Sequence, residues 1–211
     1  MAKDIRSRGL WSPRRFLLRV HEDLLKIHYW ISPTDFFPED GLSPLERMVI
    51  VLEDRKFFSH KGIHWKAVLR EVVRLLTFRR VRGASTIDIQ FVRTIIDRHE
   101  RTIKRKIYEA LLANLIQYRY SKITILRSYM AVAYLGWNMR GFFDLSYADF
   151  GIDPTEVSGF DAARLASHLV FPRPREINSE WERKILRRAN YIYPIYLSRK
   201  KYFQKLERRI F

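Results

Sequence analysis

The sequence has no cysteine and no long apolar run. Without cysteine, disulfides and thiolate-bound metal centres are excluded. A bilayer-spanning helix needs roughly 20 mainly apolar residues, and the central charge-free stretch from Ser128 to Met139 is shorter than that. The N-terminus lacks the continuous apolar segment of a signal peptide, because Arg and His residues interrupt it. The sequence therefore predicts neither an export signal nor a transmembrane helix.

Acidic residues are scarce relative to basic ones. The 211 residues include 40 Lys and Arg against 23 Asp and Glu, which gives a formal net charge of +17. Such an excess predicts attraction to polyanions, namely nucleic acid, anionic lipid headgroups or phosphate-bearing substrates. Charge alone does not choose among them. The hydrophobic content of 47% is sufficient for a packed core.

The spacing of apolar residues is helical nearly throughout, so we expect an all-α protein. Ser43-Pro44-Leu45-Glu46 predicts a helix start, because it combines a Ser cap, an early Pro and a Glu three residues after the cap. Gly62 is expected to end this segment. A long helix is predicted from about Arg101 to Tyr120, with an inward face of Ile103, Ile107, Ala110, Leu111, Leu115 and Tyr118. Ser121 opens the next helix, which Gly136 is expected to close.

We divide the chain into an N-terminal basic, amphipathic segment (residues 1–41), a main domain (42–190) and a basic helical tail (191–211). The first segment mixes apolar and aromatic side chains with basic ones: Trp11, Phe16, Leu17, Leu18, Val20, Leu24 and Leu25 with Arg14, Arg15, Arg19 and Lys26. This mixture fits a helix lying in a membrane interface. It fits equally an ordinary packing helix with a basic outer face, and the sequence leaves both readings open.

Two acidic positions are candidates for catalysis. Glu53, followed by Asp54, closes an apolar helix, and Glu109 lies within a helix rich in cations. A carboxylate beside apolar surface can have a raised pKa and act as a general acid or base, and two such groups facing one cleft suit glycosidic chemistry. Alternatively, Glu109 simply pairs with Arg105 on a solvated face, and Glu53 is a helix-end charge.

Four cations fall on two neighbouring segments: Arg93, Arg101, Arg105 and Lys106. Several Arg and Lys side chains converging on one place suit a pyrophosphate, which needs charge and many hydrogen-bond donors. The competing interpretation is a generic basic surface.

Five stretches in order resemble the signatures of the peptidoglycan glycosyltransferases, the family-51 transglycosylases. The first is Glu53-Asp54-Arg55-Lys56-Phe57-Phe58-Ser59-His60-Lys61-Gly62. The other four follow in order: Gly83-Ala84-Ser85-Thr86-Ile87-Asp88-Ile89-Gln90; Arg105-Lys106-Ile107-Tyr108-Glu109; Lys122, Ile125, Leu126 and Tyr129; and Tyr134-Leu135-Gly136 with Arg140-Gly141-Phe142, Ser146 and Phe150-Gly151. The resemblance covers about Leu42 to Arg188 and implies a helical, lysozyme-like domain of two lobes.

The resemblance also implies roles for these residues. Glu53 would be the general base of an inverting glycosyltransferase that polymerises a lipid-linked disaccharide and releases polyprenyl pyrophosphate. Glu109 would be the second carboxylate. Arg93, Arg101, Arg105 and Lys106 would bind the pyrophosphate, with Ser85, Thr86 and Gln90 lining the cleft. Asp54, Phe57, His60, Gly62 and Gly83 would shape the motifs. No cofactor is required, no metal-ligand set is predicted, and a divalent cation such as Mg²⁺ or Mn²⁺ at the pyrophosphate is compatible with this chemistry.

The sequence departs from the family pattern at three positions. Asp88-Ile89 stands where the family prefers Thr-Gln, and Ala131 replaces the Asn that usually ends the fourth signature. The expected substrate is a polyprenyl-linked sugar, and the expected location is the outer face of the cytoplasmic membrane. There the chain would meet an anionic membrane surface or a membrane-anchored partner in cell-wall synthesis.

Three other functions stay open. The departures at Asp88, Ile89 and Ala131 are compatible with a non-catalytic relative that binds precursor or glycan as a regulator. The net charge of +17 with interleaved aromatics would suit a nucleic-acid-binding protein, but no recognised reader motif is present, so nucleic acid is not the expected partner. Two carboxylates would also permit a glycan hydrolase, which would leave the phosphate-binding cations without a role.

Overall fold

The computed structural model describes residues 12–31, 41–61, 85–98, 100 and 102–211. These ranges form the α-helices α1 (Pro13–Ile31), α2 (Pro44–Glu53), α3 (Ile87–Ile96), α4 (Ile103–Ile116), α5 (Lys122–Val132), α6 (Gly141–Phe150), α7 (Gly159–Ser167), α8 (Ser179–Ser198) and α9 (Lys200–Ile210). A short 3-10 helix, Phe57–Ser59, follows α2, and strands β1 (Tyr134–Gly136) and β2 (Met139–Arg140) form an antiparallel hairpin between α5 and α6. The prediction of a helical protein is confirmed, with this hairpin as the exception.

The helices pack in two groups. Helix α3 contacts α1, α4 and α5, whereas α2 contacts α7 and α8, and α9 folds back on α8. Helix α6 joins the groups, because it contacts both α5 and α7. A core of buried side chains runs through both groups, and it includes the fully buried rings of Phe57, Phe91 and Phe142.

The start of α2 follows from its capping box. Ser43 Oγ accepts from the Glu46 amide at 3.2 Å, and the Glu46 carboxylate accepts from the Ser43 amide at 2.6 Å. Glu46 also accepts from Arg127 Nε of α5 at 2.9 Å, and both side chains are buried. The predicted start is confirmed, and this ion pair ties α2 to the other helix group.

The predicted end of this helix at Gly62 is wrong. The helix ends at Glu53, because the side chain of Asp54 accepts from the Lys56 amide and binds His60, which turns the chain into the 3-10 helix. Helix α5 likewise ends at Val132, before the predicted Gly136, since residues 134–136 pair with β2. Gly62, Gly83 and Arg101 lie outside the described residues.

The predicted inward face of α4 is also wrong. Ile103, Ile107, Leu111 and Tyr118 are exposed, and the helix buries Tyr108, Glu109, Leu112, Ala113 and Ile116 instead. The helix ends at Ile116, earlier than the predicted Tyr120. Hydrophobic periodicity predicted the wrong face because the carboxylate of Glu109 occupies a core position, where two arginine side chains neutralise its charge.

Helix α1 packs on the domain through Val20, Ile27 and Ile31. Its buried Asp23 accepts from Arg98 and from Tyr108 Oη, each at 2.8 Å. At the other end of the chain, α8 runs across residues 190 and 191, and Ile192, Tyr196, Phe203 and Leu206 belong to the core. The division at residue 190 therefore describes charge rather than packing. Among the described helices, none combines the length and apolarity that crossing a bilayer requires.

Candidate active site

Glu53 occupies the last position of α2, with its side chain half-buried. Its carboxylate accepts a hydrogen bond from Nε2 of Gln90, on α3. Burial raises the pKa of Glu53 above its usual value, and the charge of Asp54 adds to this rise. The hydrogen bond from Gln90 and the charge of Arg188, on α8, oppose it. A carboxylate with a raised pKa accepts a proton more readily than one with an ordinary pKa.

Gln90 is itself held by a second contact. Tyr129 Oη, on α5, donates to Gln90 Oε1 at 3.0 Å. The start of α3 is fixed by Thr86, which is buried and whose hydroxyl accepts from the Ile89 amide at 3.3 Å. Thr86 therefore caps the helix that presents Gln90 to Glu53, a different place from the cleft lining expected from the sequence.

The residues after Glu53 form a compact turn. His60 Nε2 lies 2.7 Å from Asp54 Oδ2, and both side chains are nearly buried. The ring of Phe57 is fully buried, and Lys122 Nζ lies 4.3 Å from its centroid. These contacts place Asp54, Phe57 and His60 as supports of the turn behind Glu53.

Asp88 is fully buried, and no local sequence pattern predicts its partner. Lys122 Nζ lies 2.8 and 3.1 Å from its two carboxylate oxygens, and Gln117 also donates to it. Burial raises the pKa of Asp88 and lowers that of Lys122, while their mutual attraction opposes both shifts. The acid that replaces the family's Thr is thus paired within the fold. A cavity of about 270 Å³ opens beside this pair, lined by Phe58, His60, Lys61, Asn114, Gln117, Tyr118 and Lys122.

Within the described ranges, one group of three side chains has metal-ligand spacing: Asp54, His60 and Asp88, with candidate ligand atoms within 4.8 Å of one another. The ammonium of Lys122 already lies 2.8 Å from Asp88. A divalent ion there would meet this positive charge at close range, so these residues do not fit a divalent cation.

Glu109 is fully buried in α4 between two guanidinium groups. Arg93 donates to its Oε2 from Nη2 at 2.9 Å and from Nε at 3.1 Å. Arg105 Nε lies 3.1 Å from Oε1. The expected pairing with Arg105 is present, but in the interior and not on a solvated face. Since its oxygens face arginines and are shielded from solvent, Glu109 is placed to hold cations and not to meet a sugar hydroxyl.

The cations differ in how much of each side chain is accessible to solvent. Arg105 also donates to the carbonyl of Arg98 at 2.8 Å and is nearly buried. Arg93 keeps 36% of its side chain exposed and lies 3.4 Å from Ser85 Oγ. Lys106 is exposed. Arg93 and Lys106 are therefore the more accessible cations of this group, and Ser85 lies beside Arg93.

Helix α3 brings the two carboxylates into one arrangement. Gln90 contacts Glu53, and Arg93, three residues later, contacts Glu109. Positions three apart lie on the same side of a helix, so the half-buried Glu53 carboxylate and the anchored guanidinium of Arg93 lie along one edge of α3. This arrangement can remove a proton at one end and bind an anion at the other. Sequence reasoning gave no role to Tyr129, Lys122 or Arg188. Tyr129 and Lys122 were visible as motif matches, whereas Arg188 carried no signal.

This helical domain carries one half-buried glutamate and one buried, arginine-bound glutamate, and a pair of carboxylates is what glycan-processing enzymes use. The transglycosylase family model matches residues 31–195, and the chain belongs to that family, whose domain has the predicted lysozyme-like fold. It is similar to penicillin-binding protein 1B of Haemophilus influenzae, at 32% identity over 72% of this chain and 20% of that protein. It is also similar to penicillin-binding protein 1B of Escherichia coli, at 38% identity over 58% of this chain and 15% of that protein. A third relative is the biosynthetic peptidoglycan transglycosylase of Alcanivorax borkumensis, at 34% identity over 62% of this chain and 53% of that protein.

Proposed function

We propose that this chain is an inverting peptidoglycan glycosyltransferase that polymerises a lipid-linked disaccharide into glycan strands. The observation that carries the proposal is Glu53, which is half-buried at the end of α2, has a raised pKa and accepts a hydrogen bond from the neutral side chain of Gln90. Family membership supports the same reaction. The chain spans about half the length of the Alcanivorax relative and a smaller part of the penicillin-binding proteins, so the activity of the whole protein belongs to this proposal.

In the proposed reaction Glu53 accepts the proton of a sugar hydroxyl on the incoming lipid-linked disaccharide. The hydroxyl oxygen forms a bond to the anomeric carbon of the growing chain. The bond from that carbon to the pyrophosphate oxygen breaks, and polyprenyl pyrophosphate leaves with the electron pair. Attack opposite the leaving group inverts the anomeric centre. General-base assistance of this kind contributes about 10²- to 10⁴-fold to a rate.

Negative charge develops on the pyrophosphate as it leaves, and a fixed cation stabilises it most when its position is set in advance. The exposed part of Arg93, held from behind by Glu109, supports this role. Lys106 and Arg101 are proposed to add further charge. Arg105, nearly buried against Glu109 and the Arg98 carbonyl, is proposed to keep Glu109 in place and not to touch substrate.

A non-catalytic relative that binds precursor is the second candidate. Asp88, Ile89 and Ala131 depart from the family pattern, which favours it. Against it stands the pairing of Asp88 with Lys122, which leaves no bare acid to repel a pyrophosphate.

Polymerisation of a labelled lipid-linked disaccharide-pentapeptide in detergent tests the proposal. We expect wild type to give a glycan ladder and Glu53→Gln to lose at least about 100-fold in rate. Glu180→Gln, an exposed glutamate at the start of α8, is the matched control and should polymerise like wild type. Specific binding of the substrate without a ladder would favour the non-catalytic relative, and absence of both would overturn the proposal.

We also propose that the domain lies on the outer face of the cytoplasmic membrane, with α1 against an anionic lipid surface. Leu18, Leu25 and Tyr29 are exposed, and their spacing of seven and four residues puts them on one face of α1. Val20 and Ile27 pack on the opposite side, so α1 has two apolar faces. Arg14 and Arg15 are exposed nearby and would meet lipid phosphates.

Sedimentation with vesicles tests this contact. We expect binding to phosphatidylglycerol vesicles that weakens with salt, and about tenfold or greater loss in Leu18→Ser/Leu25→Ser, because two leucines no longer enter the interface. Leu186→Ser, an exposed leucine on α8, serves as control. Equal binding by all three proteins would remove α1 from the contact, and absence of binding in wild type would point to a membrane-anchored protein partner instead.

A further inference from the structure

Tyr129 lies behind the candidate base, and its hydroxyl contacts Gln90. The hydroxyl donates to Gln90 Oε1 at 3.0 Å, while Gln90 Nε2 donates to Glu53. Tyr129 is 3% exposed and is held by α5, which packs on α3. Three side chains from three helices therefore form one hydrogen-bonded row that ends at the Glu53 carboxylate.

The direction of this row depends on the hydroxyl. A glutamine amide has a donor end and an acceptor end that can exchange by rotation about its last side-chain bond. With Tyr129 donating to the carbonyl end, the NH₂ end must face Glu53. Burial raises the pKa of Tyr129 well above its usual range, so the phenol keeps its proton at any working pH.

We propose that Tyr129 is a positioning residue, which fixes the amide of Gln90 with its donor end toward Glu53 and so keeps the base in its ionised, hydrogen-bond-accepting form. The inference rests on the proposed role of Glu53 and deepens it. Without the hydroxyl, the Gln90 carbonyl loses its donor, and the amide can turn to accept from a protonated Glu53. The protonated form is then favoured, and the base is withdrawn from catalysis.

The other charged groups that influence the pKa of Glu53 do not replace the hydrogen bond from Tyr129 to Gln90. Arg188 approaches from α8 and favours the charged carboxylate, whereas Asp54, next to it in the chain, disfavours it. Neither depends on the orientation of Gln90. Removing the Tyr129 hydroxyl should therefore change the titration of Glu53 in one direction, upward.

The pH profile of polymerisation by Tyr129→Phe tests the proposal. We expect the acidic limb of kcat/KM to move up by about one pH unit, since a hydrogen bond to a charged group is worth at least that much. The rate should fall about tenfold on the acidic limb and approach wild type above it. An unmoved limb would overturn the proposal.

Two comparisons separate positioning from a loss of packing. Tyr108→Phe is the matched control. Like Tyr129, Tyr108 is a buried tyrosine whose hydroxyl donates a hydrogen bond, in this case to the Asp23 carboxylate, so removing that hydroxyl should leave the acidic limb of kcat/KM in place. Gln90→Met should move the limb upward by itself, and adding Tyr129→Phe to it should move the limb no further. An additional shift in the double variant would show that Tyr129 does not act through Gln90.

A titration without turnover keeps the inference separate from the proposed function. The carbonyl-¹³C signal of the Glu53 side chain, assigned by its loss in Glu53→Gln, reports protonation directly. We expect its midpoint to rise in Tyr129→Phe even if wild type makes no glycan. A ladder from wild type with the same midpoint in both proteins would refute the inference alone. No ladder, together with a shifted midpoint, would refute the proposed function alone.

Discussion

Breaking the buried pair between Asp88 and Lys122 should destabilise the fold far more than removing both charges together. The Asp88 side chain is fully buried and that of Lys122 is 15% exposed, and they meet through two contacts of 2.8 and 3.1 Å. Removing one partner of such a pair costs about 3–5 kcal/mol, because the other charge stays buried without compensation. For a chain of this size, each kcal/mol lowers the melting temperature by about 2–4 °C, so each single variant should melt roughly 10 °C lower.

A double-mutant cycle measures this by thermal unfolding at 222 nm. Lys122→Met keeps the stem that packs on Phe57, and Asp88→Asn keeps the acceptor for Gln117. The double variant should lose much less stability than the two single variants lose in sum, with a coupling free energy of at least about 2 kcal/mol. The exposed pair of Glu180 with Lys184 is the control, and Glu180→Gln should leave the melting temperature unchanged.

The pH dependence of Lys122→Met provides a second check. Burial already raises the pKa of Asp88, and losing Lys122 raises it further. A carboxyl whose folded pKa is raised gives stability that is present at low pH and lost as pH rises through that pKa. The deficit of Lys122→Met should therefore shrink on going from pH 7 to pH 5. Additive single effects, or a deficit that grows on acidification, would refute the assignment of a buried ion pair.

Two further predictions follow from the same structure. Gly141→Ala should lose more than about 3 kcal/mol by urea unfolding, because φ is +77° and the new Cβ would lie 2.3 Å from the Ala131 carbonyl oxygen. Gly151→Ala, at φ +68° with open space around it, is the control and should cost only about 1–2 kcal/mol; equal costs would mean that the close approach carries no energy. The acidic limb of wild-type kcat/KM should lie above the usual glutamate pKa, since a base must lose its proton and burial raises the pKa of Glu53. A limb in the ordinary glutamate range would contradict the half-buried environment of this side chain.

Local signals predicted the elements that depend on neighbouring residues. The capping box of Ser43 and Glu46 is present, and Ser121 caps α5. The order of the motifs also predicted that Glu53 and Gln90 belong to one site, and their side chains are hydrogen-bonded. Local sequence signals failed where the residue that determines burial or pairing is distant in the sequence. Arg93 is on a different helix from Glu109, so periodicity alone assigned α4 an inward face of Ile103 and Ile107, both of which are exposed.

The same limit applies to Asp88. In the sequence, Asp88 is an acid near the apolar start of a helix, at a position where the family prefers Thr. In the fold, Lys122 lies against it, 34 residues later in the chain. No local pattern predicts that contact, because it depends on how α5 packs across α3. The direction of the hydrogen bond from Tyr129 is even harder to predict from the sequence, because it matters only after Gln90 has been placed between two helices.

The two carboxylates of the site are both glutamates, but their hydrogen-bonding partners suit them to different roles. Glu109 is fully buried between Arg93 and Arg105, so its carboxylate is shielded from solvent, and its charge holds the guanidinium of Arg93. Glu53 is only half-buried and accepts a hydrogen bond from the neutral amide of Gln90, while burial disfavours its charged form. Both conditions are needed on one helix edge, because a base that was also bound by arginines could not accept a proton, and an arginine without a buried counter-charge would not be held for the leaving pyrophosphate. In the proposed reaction, the three-residue spacing of Gln90 and Arg93 on α3 would therefore couple proton removal by Glu53 to stabilisation of the leaving group.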